Sequence, residues 1–178
     1  ENTTKIDMDY LSKSYAIGGC DLSSVYDLTC ATLLIQKPND SNIYVLQKYF
    51  LPQARIDKLD ETMSKEAPYK LWEKQGWIEI NEGASVDYSN VTKWFLEMVA
   101  KYDIRPLWVC YDRALAGYWV PEMEGYGFEM MKIAQGPFTW SQPMKEMYSA
   151  FEEHRVIYNN NPMLKWCLLN TASKSLNK

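Results

Sequence analysis

Two aspartates stand at the ends of apolar segments that are predicted to be strands. Asp21 follows Tyr15-Ala-Ile-Gly-Gly-Cys20, and Asp112 follows Leu107-Trp-Val-Cys-Tyr111. If these strands are parallel neighbours, about 4.8 Å apart, both carboxylates emerge side by side at the sheet edge where open α/β sheets bind ligands. Two such anions need a shared proton or a cation, and Mg²⁺ or Mn²⁺ with oxygen ligands is the natural partner. Each aspartate could instead cap its strand or the following turn.

Asp27, six residues beyond Asp21, has the same ambiguity. It could cap the turn into the next strand or serve as an outer metal ligand, and its spacing does not decide between the two. The sequence alone therefore makes Asp21 and Asp112 the main candidates for a metal site and Asp27 a third.

Other catalytic arrangements have little support. The single histidine, His154, lies in the charged run Glu152-Glu-His-Arg155, which is typical of a surface helix end and not of a nucleophilic triad. The chain contains neither GxxxxGK[ST] nor GxGxxG, which bind phosphates and dinucleotides. Its four cysteines show no CxxC spacing, so reduced thiols are expected in place of a zinc site or a disulfide framework. Carboxylate chemistry remains.

The composition predicts one soluble globular domain. The chain has 178 residues, of which 47% are apolar, and no apolar run approaches the ~20 residues of a membrane span. Its net charge of −4 equals the excess of eight acidic over four basic residues within residues 57 to 87. The rest of the chain is balanced, so the net charge does not exclude a polyanion as partner.

The pattern of the remaining segments predicts a mixed sheet of about five strands with helices on both faces. Three strands in an antiparallel meander come first, and a strand, helix, strand succession then favours parallel pairing with that sheet.

Residues 1–14 are polar and are predicted to be a tail or linker remnant, with the domain over residues 15–178. The missing initiator Met and the polar end suggest a piece trimmed at both ends, and its C-terminal end is expected to be truncated. The predicted elements are strands at Tyr15–Asp21, Asp27–Gln36, Asn42–Leu51, Trp77–Ile80, Leu107–Tyr111 and Phe128–Ile133, and helices beginning near Pro68, Asp87 or Ser89, residue 117, Ser141, and Asn160 or Asn161.

The ordered motifs resemble one family. Ile17-Gly-Gly-Cys-Asp21-Leu-Ser-Ser-Val-Tyr-Asp27-Leu-Thr29 is similar to the G-x-D-L-S-x-x-x-D-L-T opening of the nuclease domain in the large terminase subunit of tailed bacteriophages. The resemblance extends over about residues 15 to 172. The later motifs, in the family's order, are Tyr69-Lys-Leu-Trp72 with Gly76 and Ile78, Gly83 with Val86-Asp87-Tyr88, Tyr111-Asp112-Arg113, Gln135-Gly136, and Asn161-Pro162-Met-Leu-Lys-Trp166 with Asn170.

The resemblance implies an RNase H-like α/β fold and a metal-dependent endonuclease that cuts concatemeric viral DNA. By this match Asp21 bridges two Mg²⁺ or Mn²⁺ ions, Asp112 holds one, and Asp27 is a further acidic position. The family's third acidic ligand follows the Asn matched by Asn170, but no such residue occurs before Lys178, and Glu152 and Glu153 come too early. Weak metal affinity and little or no cleavage by this chain alone are therefore expected.

The resemblance also implies four partners, namely double-stranded DNA, an ATPase domain of the same polypeptide, the small terminase subunit and the portal. It implies a location in the cytoplasm of an infected bacterium, and no membrane is expected as a partner. Basic residues suited to contact DNA phosphates are Lys37, Lys48, Arg113 and Arg155.

Two other functions remain open from the sequence. Asp21 and Asp112 could act as acid and base in a different carboxylate hydrolase, such as a glycosidase. Alternatively, the domain could be a non-catalytic module that docks to the portal or motor through residues 57 to 87.

Overall fold

The computed structural model describes residues 2–23, 27–61, 67–114 and 116–172. Seven helices and seven strands occur within these residues. In chain order they are α1 Met8–Leu11, β1 Tyr15–Asp21, β2 Thr29–Ile35, β3 Ile43–Pro52, α2 Gln53–Glu61, α3 Tyr69–Lys74, β4 Ile78–Asn81, α4 Tyr88–Tyr102, β5 Arg105–Tyr111, α5 Trp119–Gly125, β6 Met130–Lys132, α6 Pro137–Glu152, β7 Val156–Ile157 and α7 Pro162–Leu169.

The strands form one mixed sheet in the order β4-β3-β2-β1-β5-β6, and β7 pairs with β3. β1, β2 and β3 are the antiparallel meander that the sequence predicts. β5 returns after α4 and joins the sheet in parallel, as the strand, helix, strand succession predicts, and its partner is β1. β4 and β7 run parallel to β3, and β6 runs parallel to β5. The first six strands correspond to the six segments predicted from the sequence, and β7 is additional, because a strand of two residues escapes a periodicity argument.

One face of the sheet packs against α4 and α5. Leu33 and Val109 of the sheet are fully buried with Phe95 of α4 and Trp119 of α5 in one apolar cluster. The close approach requires a glycine at position 18: a Cβ there would lie 3.0 Å from Cγ2 of Val109 and 3.2 Å from the carbonyl oxygen of Trp108. α4 begins as predicted, because the Asp87 side chain accepts a hydrogen bond from the Ser89 amide.

The opposite face is covered unevenly. Tyr49 of β3 packs with Trp72 of α3 and Met163 of α7 in a second cluster, and Val45 packs with Ala150 near the end of α6. Helices therefore cover both faces, as predicted. The β1 and β5 part of this face remains open, with Ile17 36% and Trp108 45% exposed. This opening continues to the end of β1 that carries Asp21.

The prediction of a tail over residues 1–14 is wrong for the part that contains α1. Leu11 is fully buried in the cluster that contains Phe95, and the Lys13 amide donates to the Tyr102 carbonyl oxygen over 3.0 Å. The segment looks polar in sequence because its apolar residues are few, but Leu11 and the partly buried Ile6 and Met8 all face the core.

The predicted start of α6 is also wrong. The helix begins at Pro137, not at Ser141, and Pro143 lies inside it. The Ser141 hydroxyl donates to the carbonyl oxygen of Pro137, four residues earlier, so it does not cap the helix. Two prolines each suit a first turn, and local sequence rules do not choose between them.

Candidate active site

Asp21 and Asp112 leave adjacent parallel strands at the same edge of the sheet. In the register of β1 and β5, Cys20 is paired with Tyr111, the residues immediately before the two aspartates. On its other side, Asp21 is paired with Cys30 of β2. The condition on which the paired carboxylates depended, that these two strands are parallel neighbours, is met in the structure.

The two carboxylates line a cavity of about 440 Å³. Gly19 leaves room above the sheet, because a Cβ there would meet no atom within 4 Å. Thr32 of β2 lies beside them, and its hydroxyl accepts a hydrogen bond from the Gln47 amide over 3.2 Å. The full lining is Gly19, Cys20, Asp21, Cys30, Thr32, Cys110, Tyr111, Asp112, Ile133, Gln135 and Trp140.

The electrostatics of this cavity disfavour a second negative charge. Partial burial raises the pKa of Asp21 above its ordinary value, and the negative charges of Asp112 and then Asp27 raise it further. Asp27 is exposed, and its amide donates to the Ser23 hydroxyl over 3.2 Å. Both other acidic residues singled out in the sequence therefore act electrostatically on Asp21.

Asp112 also takes part in the local turn. Its Oδ1 accepts a hydrogen bond from the Ala114 amide over 3.3 Å. The turn-capping role that the sequence left open is thus real, but it occupies one carboxylate oxygen and leaves the other. Capping and metal binding are compatible for this residue.

The donor set fits a hard divalent cation in part. Two carboxylates that repel each other in a cavity are suitable ligands for Mg²⁺ or Mn²⁺. Across residues 2–23, 27–61, 67–114 and 116–172, however, no cluster of three or more His, Cys, Asp or Glu side chains could hold a metal ion. Glu153 pairs with Arg155, which precedes β7, so it does not join the carboxylates. The third acidic ligand expected from the resemblance is not supplied by the described residues.

Only one of the four predicted phosphate-contacting residues lies at this edge. Arg113 is exposed and directly follows Asp112. Lys37 lies beyond the far end of β2, where it donates to the Ser14 hydroxyl over 3.1 Å, roughly 20 Å along the strand from Asp21. Arg155 is also at that far end, bonded to the Ser41 carbonyl oxygen.

Lys48 is on the other face of the sheet. It pairs with Ala31, which pairs with Cys20, whereas Asp21 belongs to the next row of paired residues. Because successive residues of a strand point to opposite faces, Lys48 points away from the carboxylates, and it donates to the Gly76 carbonyl oxygen. The structure therefore does not bring Lys37, Lys48 or Arg155 to the candidate site.

Sequence reasoning missed other residues at the site. Thr32 alternates with Cys30 on β2, so the period of two could have placed it on the face of Asp21. Exposed Lys132 is paired with Tyr111 at the edge of the sheet. Gln135 belongs to a motif of the family resemblance, but nothing in the sequence placed it at the carboxylates. Trp140 had no usable signal, because it reaches the cavity through the start of α6, which was misplaced.

The fold and the paired carboxylates define an α/β domain with a carboxylate site at the end of two parallel strands. The family described as "Terminase large subunit, endonuclease domain" matches residues 2–177, and the chain belongs to that family. The chain is 26% identical over 157 residues to "Terminase, large subunit" of Enterobacteria phage HK97, which covers 86% of this chain and 30% of that protein. It is 22% identical over 162 residues to "Protein YmfN" of Escherichia coli strain K12, covering 88% and 35% of the two chains.

A solved structure shares the fold. The crystal structure of the HK97 bacteriophage large terminase superimposes with a TM-score of 0.75 and 23% identity, covering 96% of this chain and 34% of that one. The RNase H-like mixed sheet expected from the resemblance is therefore confirmed. The chain spans about a third of the length of the relatives it matches. In the described part of the chain, no helix has both the length and the apolar character needed to cross a membrane.

Proposed function

We propose that this domain is a metal-dependent endonuclease that cuts concatemeric double-stranded DNA during viral DNA packaging. The observation that carries the proposal is the pairing of β1 with β5, which sets Asp21 beside Asp112 in one cavity. Exposed Arg113 directly follows Asp112 in the chain. Family membership supports a terminase nuclease, and it favours phosphodiester hydrolysis over the glycosidase alternative.

Asp21 and Asp112 are the residues that would hold Mg²⁺ or Mn²⁺, and Asp27 adds negative potential at the rim. Bound ions in such a site activate water and stabilise the leaving oxygen during in-line displacement at phosphorus. The Asp112 carboxylate is oriented by the Ala114 amide, and Arg113 is available for a phosphate oxygen. A complete two-ion site needs a third carboxylate, so the described residues are expected to bind metal weakly and to cleave slowly.

The partners follow from the same proposal. The whole relatives are about three times as long as this chain, so an ATPase domain of the same polypeptide, the small terminase subunit and the portal are proposed partners. The proposed location is the cytoplasm of an infected bacterium.

The test is nicking of supercoiled plasmid in Mn²⁺ or Mg²⁺ by the 178-residue chain and by a version extended past Lys178. We expect Asp21→Asn and Asp112→Asn each to abolish nicking by the extended chain, and EDTA to do the same. Asp9→Asn is the matched control, since Asp9 is exposed on α1, beyond the opposite end of β1. Equal nicking by Asp21→Asn and the unsubstituted chain would refute the proposal.

A non-catalytic docking role is the second candidate. Asp57, Asp60, Glu73 and Glu82 of the acidic stretch are all exposed, although Lys70 pairs with Asp60. Reversing Asp57, Glu73 and Glu82 to Lys should abolish binding to the portal or motor if this role applies, while nicking by the extended chain stays intact. Unchanged partner binding by that variant would exclude it.

A further inference from the structure

Trp140 lies in the cavity of the two carboxylates. It belongs to the second turn of α6 and lines the same cavity as Asp21 and Asp112, with 38% of its surface exposed. Its indole Nε1 donates to Oε1 of Gln135 over 2.8 Å, which fixes the ring from the loop before the helix. Within the described parts of the chain, the ring has no aromatic or cationic partner of its own. An indole that is hydrogen-bonded at its edge still offers its faces to a ligand.

A purely structural role for Trp140 is poorly supported. Residues 137–146 of α6 are all exposed, and the helix is anchored to the sheet by Ala150, with Met147 and Phe151 beside it. Trp140 therefore does not attach α6 to a buried core. Trp140 places a flat apolar surface beside two carboxylates. A cavity that bound only a phosphate and a metal ion would need no such apolar surface.

We propose that Trp140 stacks on an unpaired base that enters the cavity of Asp21 and Asp112, so that the site prefers DNA whose strands are locally separated. The proposal rests on the proposed function for the identity of the ligand. In an intact duplex both faces of a base are covered by its neighbours, so only an unstacked base can cover the indole. Unstacking costs least in a single strand or at a frayed end. The cavity of about 440 Å³ is in the range of ligand sites.

The experiment measures binding without metal, so that cleavage does not contribute. The 178-residue chain in EDTA is titrated into single-stranded and blunt duplex oligonucleotides of the same sequence, each carrying 2-aminopurine, whose fluorescence falls when it stacks. Trp140→Ala should weaken binding to the single strand about 5- to 150-fold, and binding to the duplex by less than about 2-fold. Trp140→Phe should restore most of the affinity, because a smaller aromatic ring still stacks.

Two further variants separate stacking from a general loss of structure. Phe138→Ala is the matched control, because Phe138 is fully exposed two residues earlier on α6 and does not line the cavity. It should leave both affinities unchanged. Gln135→Ala releases the indole edge and should reduce the fluorescence change on the single strand without altering duplex binding.

Equal weakening of both DNA forms by Trp140→Ala, an unchanged affinity for the single strand, or the same effect from Phe138→Ala would overturn the proposal. The nuclease proposal fails on a different result, namely nicking that survives Asp21→Asn. A selective loss with Trp140→Ala in EDTA supports stacking whatever the nicking assay shows.

Discussion

Removing the charge of Asp21 should stabilise the metal-free domain. The carboxylate is partly buried and is repelled by Asp112 and Asp27, which raises its pKa. At neutral pH it is ionised in both the folded and the unfolded chain, so the folded state carries an unfavourable interaction that the unfolded state lacks. Asp21→Asn keeps the size of the side chain and removes this interaction. The expected result is a higher free energy of unfolding in EDTA.

The size of the gain follows from the strand geometry. Carboxylates on neighbouring strands are about 5 Å apart, where two unit charges repel by ~0.8 kcal/mol in water and ~3 kcal/mol at an effective dielectric constant of 20. Asp21 lies at the rim of the cavity and is exposed. Solvent screening therefore places the gain in the free energy of unfolding near the value for water, at about 1 kcal/mol. For a chain of this length that corresponds to a rise in Tm of about 2–4 °C.

The pH dependence has a definite sign. Because the folded pKa of Asp21 is raised, the penalty is fully present at neutral pH and disappears as the pH falls through that raised pKa. The difference in Tm between Asp21→Asn and the unsubstituted chain should therefore shrink toward zero as the pH approaches about 3.9, the ordinary pKa of Asp.

Metal ions should reverse the order of stability. If Mn²⁺ binds with a Kd of about 1 mM, then 10 mM Mn²⁺ stabilises the unsubstituted chain by about 1.4 kcal/mol and Asp21→Asn by much less. Thermal unfolding followed by circular dichroism, with and without Mn²⁺, measures both effects, and Asp9→Asn should show neither. A lower Tm for Asp21→Asn in EDTA at pH 7, or an equal response of both chains to Mn²⁺, would refute the reasoning.

Three more predictions concern the core and the DNA surface. Gly18→Ala should lower the free energy of unfolding, measured in urea, by about 1–3 kcal/mol, because the added Cβ meets Val109 and a backbone oxygen. Gly19→Ala is the control and should be tolerated, because a Cβ there meets no atom. An equal cost for both variants would contradict the packing described. Thr92→Val should lower the free energy of unfolding by about 1–3 kcal/mol in the same assay, since it leaves the buried Nε1 of Trp119 without its acceptor at 3.2 Å. Thr92→Ser keeps the hydroxyl and should cost less. Similar losses for the two variants would show that the hydrogen bond is unimportant. Arg113→Ala should weaken DNA binding and reduce the slope of log affinity against log salt concentration by about 1. Lys37→Ala is the control and should change neither quantity, because Lys37 lies at the far end of the sheet. A reduced slope for Lys37→Ala would indicate that DNA also contacts that end.

Much of the sheet could be predicted from the chain alone. The strand containing Asp21 and the helix capped by Asp87 are local features, set by alternation, by apolar residues at helical spacing and by one capping side chain. A parallel pairing of β5 within the existing sheet followed from the order of strand, helix and strand, but its partner strand did not. The sequence therefore identified Asp21 and Asp112 as candidates, and the pairing of β5 with β1 set them side by side.

The charged and aromatic surroundings of the site were not predictable in the same way. Lys37, Lys48 and Arg155 are basic residues in suitable segments, but one is on the wrong face and two are at the far end of the sheet. Charge in a sequence carries no information about the face or edge at which it emerges until register and topology are known. Leu11 likewise looked like part of a tail, because the few apolar residues of that segment show no clear period.

The sequence by itself determined the two carboxylates, the strands that end on them and the family to which the motifs point. Tertiary structure decided which neighbours those carboxylates have. Trp140 enters the cavity only because α6 begins at Pro137 and its first turns run beside the sheet edge. Of the four predicted cations, Arg113 is the one that lies at the same edge, directly after Asp112. The physical reason is that strands and helices form from spacing along the chain, whereas a cavity is lined by residues far apart in sequence that meet only after the sheet is assembled.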